Sequence, residues 1–202
     1  SFKLTLMKQN KTFIPDHLIA NRPKVLKLIG KLAMKVTGWK TVGDFPKDER
    51  VLLVAGPHTS NWDFVLAMSL ILSLDVNFHW IGKHSVFKKG FRRLLRKMGG
   101  IPVNRANPAA LKQEIQNVTD KYKGFLIVIA PEGTRQKVKR LKSGFLRIAN
   151  ETNSQIMMAG VDFSNKTIQL GDFFSPTGNV EQDLESIKDY FGQFAGKRPE
   201  LF

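Results

Sequence analysis

The chain is predicted to fold as a single α/β domain, a sandwich in which helices flank a central, largely parallel or mixed sheet. Three observations predict it. Short apolar runs such as Val51–Ala55 and Phe125–Ile129 lead into Gly-Pro or Pro-containing loops, as buried strands do. Between such runs lie stretches with apolar residues at three- and four-residue spacing, the helical period. The two kinds of segment alternate, which is the order produced when helices cross over between parallel strands. A length of 202 residues suits one domain with a substantial core, and 42% hydrophobic with 24% charged residues is ordinary globular composition.

In chain order, residues 1–6 precede a Met-Lys that reads as a natural start, so they read as an appended remnant. Residues 1–42 are expected to form an N-terminal segment and 43–202 the main domain. Pro23 opens a helix to about Val36, stopped at Gly38. Val25, Leu28, Ile29, Leu32, Ala33 and Val36 share one face of it, with Lys24, Lys27, Lys31 and Lys35 opposite. Such a helix fits two situations, lying in a membrane interface with its lysines near lipid phosphates, or packing on its own domain. Residues 43–50 are a turn-rich connection into the strand 51–55. The helix 63–73 has almost no polar face, so it is expected to be buried. Asn77–Ile81 is the next strand, closed by Gly82. A second basic amphipathic helix is expected over about 86–98, where Lys88, Lys89, Arg92, Arg93, Arg96 and Lys97 interleave with Phe87, Phe91, Leu94, Leu95 and Met98. A short strand at 101–105, a helix at 108–121, the strand 125–129, a helix from 143 or 144 to 151 and a strand 155–161 follow. An outer strand at 166–170 and a terminal helix at 180–195 complete the chain.

Composition narrows the partners. Lys plus Arg number 32 against 17 acidic residues, a net charge of +15 and a pI near 10.1. That excess favours an anionic partner: nucleic acid, an anionic membrane or a phosphorylated substrate. With no cysteine, disulfides, thiolate metal sites and a Cys nucleophile are excluded. No small-residue cleavage site follows an apolar N-terminal core, so no signal peptide is expected. The longest apolar stretch, Phe64–Leu74, has 11 residues, short of the roughly 20 that span a bilayer. The chain is expected not to cross a membrane on its own, which leaves open that it lies on one.

Three strand-end loops carry the chemistry. After 51–55 comes Gly56-Pro57-His58-Thr59-Ser60-Asn61-Trp62-Asp63, with four residues between His58 and Asp63. A carboxylate that accepts a proton from one imidazole nitrogen fixes the tautomer and raises the basicity of the other, so this pair suits removal of a hydroxyl proton. The plainer reading of Asp63 is a helix cap. His17, His79 and His84 stand in no such motif. After 125–129 comes Pro131-Glu132-Gly133-Thr134-Arg135, in which Gly133 permits unusual backbone geometry and Arg135 offers a planar fork for a phosphate. Glu132 and Arg135 read equally as an ion pair holding the loop. Arg105, just past the third strand, is a second phosphate candidate.

In the order and spacing of these three loops the chain resembles the glycerolipid acyltransferase superfamily, typified by bacterial 1-acylglycerol-3-phosphate acyltransferases. His58-x4-Asp63 matches its first motif, Gly100-Ile101-Pro102-Val103-Asn104-Arg105 its second, and Pro131-Glu132-Gly133-Thr134-Arg135 its third. The likeness runs from about residue 50 to 162, and Lys83 and Lys142-Ser143-Gly144 also fit. Ala130 and Gln136 depart from the usual Phe and Ser around the third motif. Ile156–Gly160 lacks the Pro of the fourth, from which nothing is carried over. The resemblance implies acyl transfer from a thioester, acyl-CoA or acyl-carrier protein, to the free hydroxyl of a lysophospholipid, with 1-acylglycerol-3-phosphate giving phosphatidic acid. His58 would be the base and Asp63 its orienting partner. Arg105 and Arg135 would hold the acceptor phosphate, Glu132 the loop or the glycerol, and the backbone near Gly133 a developing oxyanion. Thr134, Asn61, Trp62 and Lys83 would shape or line the site. No cofactor beyond the acyl donor and no metal are implied, and Ser60 is a weaker candidate for a nucleophile. The expected partners are an anionic membrane surface, the lysophospholipid and an acyl-carrier protein, with no nucleic acid. The expected location is cytoplasmic, peripheral on the inner face of the cell membrane. Two rival classes remain: a lipid or thioester hydrolase using the same pair, and a basic nucleic-acid-binding module, which leaves His58 and Asp63 unexplained.

Overall fold

The computed structural model describes residues 12–87, 90, 92–103, 108–121 and 124–202, with backbone alone for 108–110 and 119. Its centre is a seven-stranded sheet of β1 (Lys40–Val42), β2 (Arg50–Gly56), β3 (His79–Lys83), β4 (Gly100–Val103), β5 (Phe125–Ile129), β6 (Gln155–Asp162) and β7 (Thr167–Phe174). The order is β1-β7-β6-β2-β5-β3-β4. Among the described strands only β6 and β7 pair antiparallel; the other neighbours are parallel. The helices are α1 (Lys24–Thr37), α2 (Trp62–Leu74), α3 (Arg92–Lys97), α4 (Pro108–Thr119), α5 (Gly144–Thr152) and α6 (Val180–Phe191). The α/β sandwich with a largely parallel, mixed sheet is the architecture that the sequence predicts.

The middle strands are apolar on both faces, so they read as continuous runs rather than alternating ones. Successive residues feed two cores. Leu52, Val54, Ile127, Ile156 and Met158 join Phe145, Ile148, Ile187 and Phe191 of α5 and α6. Val51, Leu53, Leu126, Met157 and Ala159 join Leu66, Leu70 and Ile71 of α2 and Met34 of α1. Burial of this kind is worth about 25 cal/mol per Å² of apolar surface and dominates the stability of the sandwich. Because β2 to β6 run in the same direction, the loops leaving them gather on one edge of the sheet.

Several elements differ from expectation. Residues 40–42, which the sequence places in the N-terminal segment, add an edge strand paired to β7. The strand expected at 166–170 runs from Thr167 to Phe174, and it is not outermost because β1 pairs along its outer side. β3 starts at His79 and passes through Gly82, where a Cβ would lie 3.1 Å from the Phe87 ring and collide with Trp80, so this glycine is a packing point and not a terminator. The second basic helix is shorter than the predicted 86–98: His84–Val86 is a 3-10 turn, Gly90 has a φ of +100° and the helix covers Arg92–Lys97. Lys88, Lys89 and Phe91 lie outside the described residues.

The largest correction concerns α2, and it is read from how α1 packs. The helix packs on α2 through Gly30, whose bare Cα meets Leu72 and Ser73, and through buried Met34, not through its apolar stripe. Val25, Leu28, Ile29, Leu32 and Val36 are 53–77% exposed. Lys27 reaches the end of α2, where its Nζ donates to Asp75 Oδ2 at 3.0 Å, and Arg22 N–H donates to Asp75 Oδ1 at 3.0 Å. Burial pushes the Asp75 carboxyl up, but the Arg22 and Lys27 contacts outweigh it and hold the group below its usual range. The helix expected to be buried, α2, is consequently half-covered: Trp62 is 61% and Val65 49% exposed.

His79 on β3 gives the fold a pH signature. Burial, then the nearby positive charge of Lys121, lowers its pKa from 6.5 to about 4. The unfolded chain takes up the proton below about 6.5 and the native state resists it until about 4, so acidification through that window favours unfolding. The loss is on the order of 3 kcal/mol. Urea midpoints at several pH values should decline more steeply across this window in wild type than in His79→Gln. Equal slopes would contradict the assignment.

Candidate active site

Two of the three expected loops meet on the edge where β2 and β5 end side by side, Val54 opposite Ile129. From β2 the chain turns through a cis Gly56–Pro57 bond into His58 and then enters α2. The Asp63 carboxylate, in the first turn of that helix, reaches back over the loop. Its Oδ2 accepts the Thr59 and Ser60 backbone N–H groups, each at 2.8 Å, and its Oδ1 accepts the Ser60 hydroxyl at 3.2 Å. His58 Nδ1 lies 3.0 Å from the same Oδ2. The helix-cap reading of Asp63 does not hold: Asn61 stands at the N-cap with no side-chain cap hydrogen bond, and the Asp63 acceptors serve the loop before the helix. One carboxylate folds the loop and also holds the imidazole.

The electrostatics follow. A carboxylate oxygen accepts, so the contact fits the tautomer with the hydrogen on Nδ1 and leaves the Nε2 lone pair facing outward from the pair. The imidazole side chain is 27% exposed and the Asp63 side chain 8%, an open imidazole on a covered carboxylate. Ser60 is buried, with its hydroxyl donating to Asp63 and accepting from Trp62 N–H at 3.1 Å. That hydroxyl is committed to holding the loop, against a role as nucleophile.

From β5 the Pro131–Arg135 loop arrives beside it. Glu132, only 3% exposed, turns inward and its Oε1 accepts the His58 backbone N–H at 2.9 Å. The ion pair between Glu132 and Arg135 allowed by their spacing does not form. Glu132 braces the histidine loop instead, while exposed Arg135 donates from Nη1 to Asn61 Oδ1. Glu132 Oε2 is buried without a hydrogen-bond partner. Desolvation raises the Glu132 pKa above its ordinary value, against the lowering effect of the His58 amide. Gly133 has a φ of +63°, a conformation other residues adopt at a cost, and its N–H donates to Ala130 O at 3.1 Å. That amide closes the turn. Thr134 is exposed, its hydroxyl accepting from Gln136 N–H at 3.3 Å, and the basic loop closes where Lys142 N–H donates to Pro131 O at 2.8 Å.

The structure thus brings together His58, Asp63, Asn61, Glu132 and Arg135. Lys83 ends β3 on the same edge, two strands from β2, with an exposed side chain. Arg105 lies outside the described residues. Sequence reasoning passed over Thr59, which is 2% exposed and joined to residues near the C-terminus; no local pattern signals a contact between positions 59 and 198. Among the described residues no cluster of three or more His, Cys, Asp or Glu side chains is placed to hold a metal.

A histidine–carboxylate pair thus stands at the strand ends of an α/β sheet beside a cationic loop, and the chain belongs to the acyltransferase family, whose model matches residues 35–162. Among solved structures it is similar to the 1-acyl-sn-glycerophosphate (LPA) acyltransferase PlsC from Thermotoga maritima, with a TM-score of 0.58 and 21% identity over 84% of this chain and 78% of that one. At that identity the likeness is one of fold. No curated protein matches the chain.

Proposed function

We propose that the protein moves a fatty acyl group from a thioester, acyl-CoA or acyl-carrier protein, to the free hydroxyl of a lysophospholipid, converting 1-acylglycerol-3-phosphate to phosphatidic acid. The observation that carries this is the 3.0 Å contact of His58 Nδ1 with the covered Asp63 carboxylate, which makes Nε2 a hydroxyl base within an acyltransferase-family chain. Nε2 takes the proton of the acceptor hydroxyl as its oxygen attacks the thioester carbonyl carbon. The tetrahedral intermediate then expels the thiolate, which recovers the proton from the imidazolium. A thioester is already activated, so no covalent intermediate and no cofactor beyond the acyl donor is needed. Arg135, held at the loop by Asn61, supplies further guanidinium donors to the acceptor phosphate, with Arg105 and Lys83 as additional cations. Mass spectrometry of products from a panel of lysolipids and both donor types tests this. Lysophosphatidic acid should be acylated best, and a preference for monoacylglycerol would overturn the phosphate clamp.

The same reading places the enzyme at an anionic membrane, peripheral on the inner face of the cell membrane. No described helix is long and apolar enough to cross a membrane. What supports surface binding is α1, whose outward stripe Val25, Leu28, Ile29, Leu32 and Val36 has no cover while Lys24, Lys31 and Lys35 are exposed beside it, on a chain of net charge +15. Leu28→Glu with Leu32→Glu should reduce sedimentation with phosphatidylglycerol vesicles on the order of a hundredfold, since each leucine contributes about 1.5–3 kcal/mol on burial. Melting temperature should hold, because both side chains are exposed. Unchanged vesicle binding, or a dimer in vesicle-free solution that the same changes dissociate, would reassign the face.

A further inference from the structure

We infer that the C-terminal segment 191–198, outside the residues matched by the family, is a clamp that positions the His58–Asp63 pair, acting through Thr59. This rests on the general-base reading of His58. The segment leaves α6 and returns along the back of the histidine loop. Phe191, fully buried, lies against Gly56, where a Cβ would approach its ring to 3.0 Å. Phe163 N–H donates to Ala195 O at 2.7 Å, tying the segment to the chain just past β6. Gly196 then sits directly on the loop: a Cβ there would fall 2.8 Å from Thr59 Oγ1, 3.0 Å from Thr59 Cγ2 and 3.3 Å from Pro57 Cγ. Two residues on, Arg198 N–H donates to Thr59 Oγ1 at 3.1 Å.

Thr59 is the coupling point because its two polar groups face different ways along the chain of contacts. The hydroxyl receives the C-terminal segment, while the backbone N–H donates at 2.8 Å to Asp63 Oδ2, the oxygen that also holds His58 Nδ1. With 2% of its surface exposed, Thr59 has no room to yield without moving the loop. Gly196 and Thr59 are positioning residues in this account. Neither touches the reacting atoms; both set where the imidazole stands.

The test is Gly196→Ala, with Thr59→Val and Thr59→Ser, measured as transfer from acyl-CoA to lysophosphatidic acid. In Gly196→Ala the new methyl must displace Thr59. A misplacement approaching an ångström costs up to about a hundredfold, so kcat should fall on the order of tenfold to a hundredfold with KM for both substrates unchanged. Thr59→Val keeps the shape, removes the acceptor for Arg198 and should lower kcat in the same sense; Thr59→Ser restores the acceptor and should recover most of it. The second readout is independent of activity: the downfield proton resonance of the His58 Nδ1–H, identified by its loss in His58→Ala, should shift or exchange faster in Gly196→Ala and Thr59→Val. Should Gly196→Ala fail to fold, the Val and Ser variants of Thr59 still decide. Wild-type kcat and an unmoved resonance in folded Thr59→Val would overturn the clamp. A wild-type rate in His58→Ala would sink the general-base reading instead, and the resonance would continue to report on the clamp alone.

Discussion

His58→Ala is expected to lower acyl transfer by roughly 10²- to 10⁴-fold, the contribution of a positioned general base. The fold should survive it. The imidazole is 27% exposed, and the loop is held by backbone bonds from residues 58 to 60 to Glu132 and Asp63, which a His58→Ala chain retains. A circular dichroism spectrum and melting temperature close to wild type, together with the lost rate, would separate chemistry from unfolding. Residual activity near that of wild type in a folded variant means that another group takes the proton. Ser60 is a poor substitute, since its hydroxyl is already bonded to Asp63.

The second large effect is at Asp63, where two substitutions divide its two tasks. Its Oδ2 serves two amides and the imidazole, and its Oδ1 one hydroxyl. In Asp63→Asn the amide oxygen can take the Oδ2 position and the NH₂ can donate to Ser60, so the loop should stay folded. The negative charge that stabilises the imidazolium is gone, and kcat should drop by about 10²- to 10⁴-fold. Asp63→Ala removes the acceptor as well. It strands the buried amides of Thr59 and Ser60 and should cost about 3 kcal/mol of stability in addition to the rate. For a domain of this size that is a fall in melting temperature of roughly 6–12 °C. If Asp63→Asn keeps its rate, the carboxylate is only a structural brace.

Much of this was legible in the sequence because the signals were local. β2, β5 and β6 bury both faces, and the resulting Val/Leu/Ile/Met runs needed no partner to be recognised. The His58–Asp63 spacing works because a strand, a tight loop and one helical turn bring the two side chains together within a single connection. What failed to show was non-local. β1 is three residues with no buried position, defined only by its pairing to β7. Gly82 reads as a stop, yet its role is to admit Trp80 and Phe87. The stripe on α1 has the right period, but the period cannot say which face meets the protein; the small residue Gly30 decides that against Leu72 and Ser73. Glu132 stands three residues from Arg135, and burial beside the His58 amide drew it away from that pairing. The contact of Thr59 with Arg198 spans 139 positions and leaves no trace in either segment alone.

One measurement tests the central claim most directly: that the acceptor hydroxyl, deprotonated by His58, attacks the thioester without an acyl-enzyme. Purified protein is mixed with acyl-CoA in the absence and then the presence of lysophosphatidic acid, with thiol release, lipid products and intact protein mass followed together. The account predicts no thiol release and no change in protein mass without acceptor, then one thiol per phosphatidic acid formed once acceptor is added. Thiol release with free fatty acid, or a protein heavier by one acyl group, would contradict it.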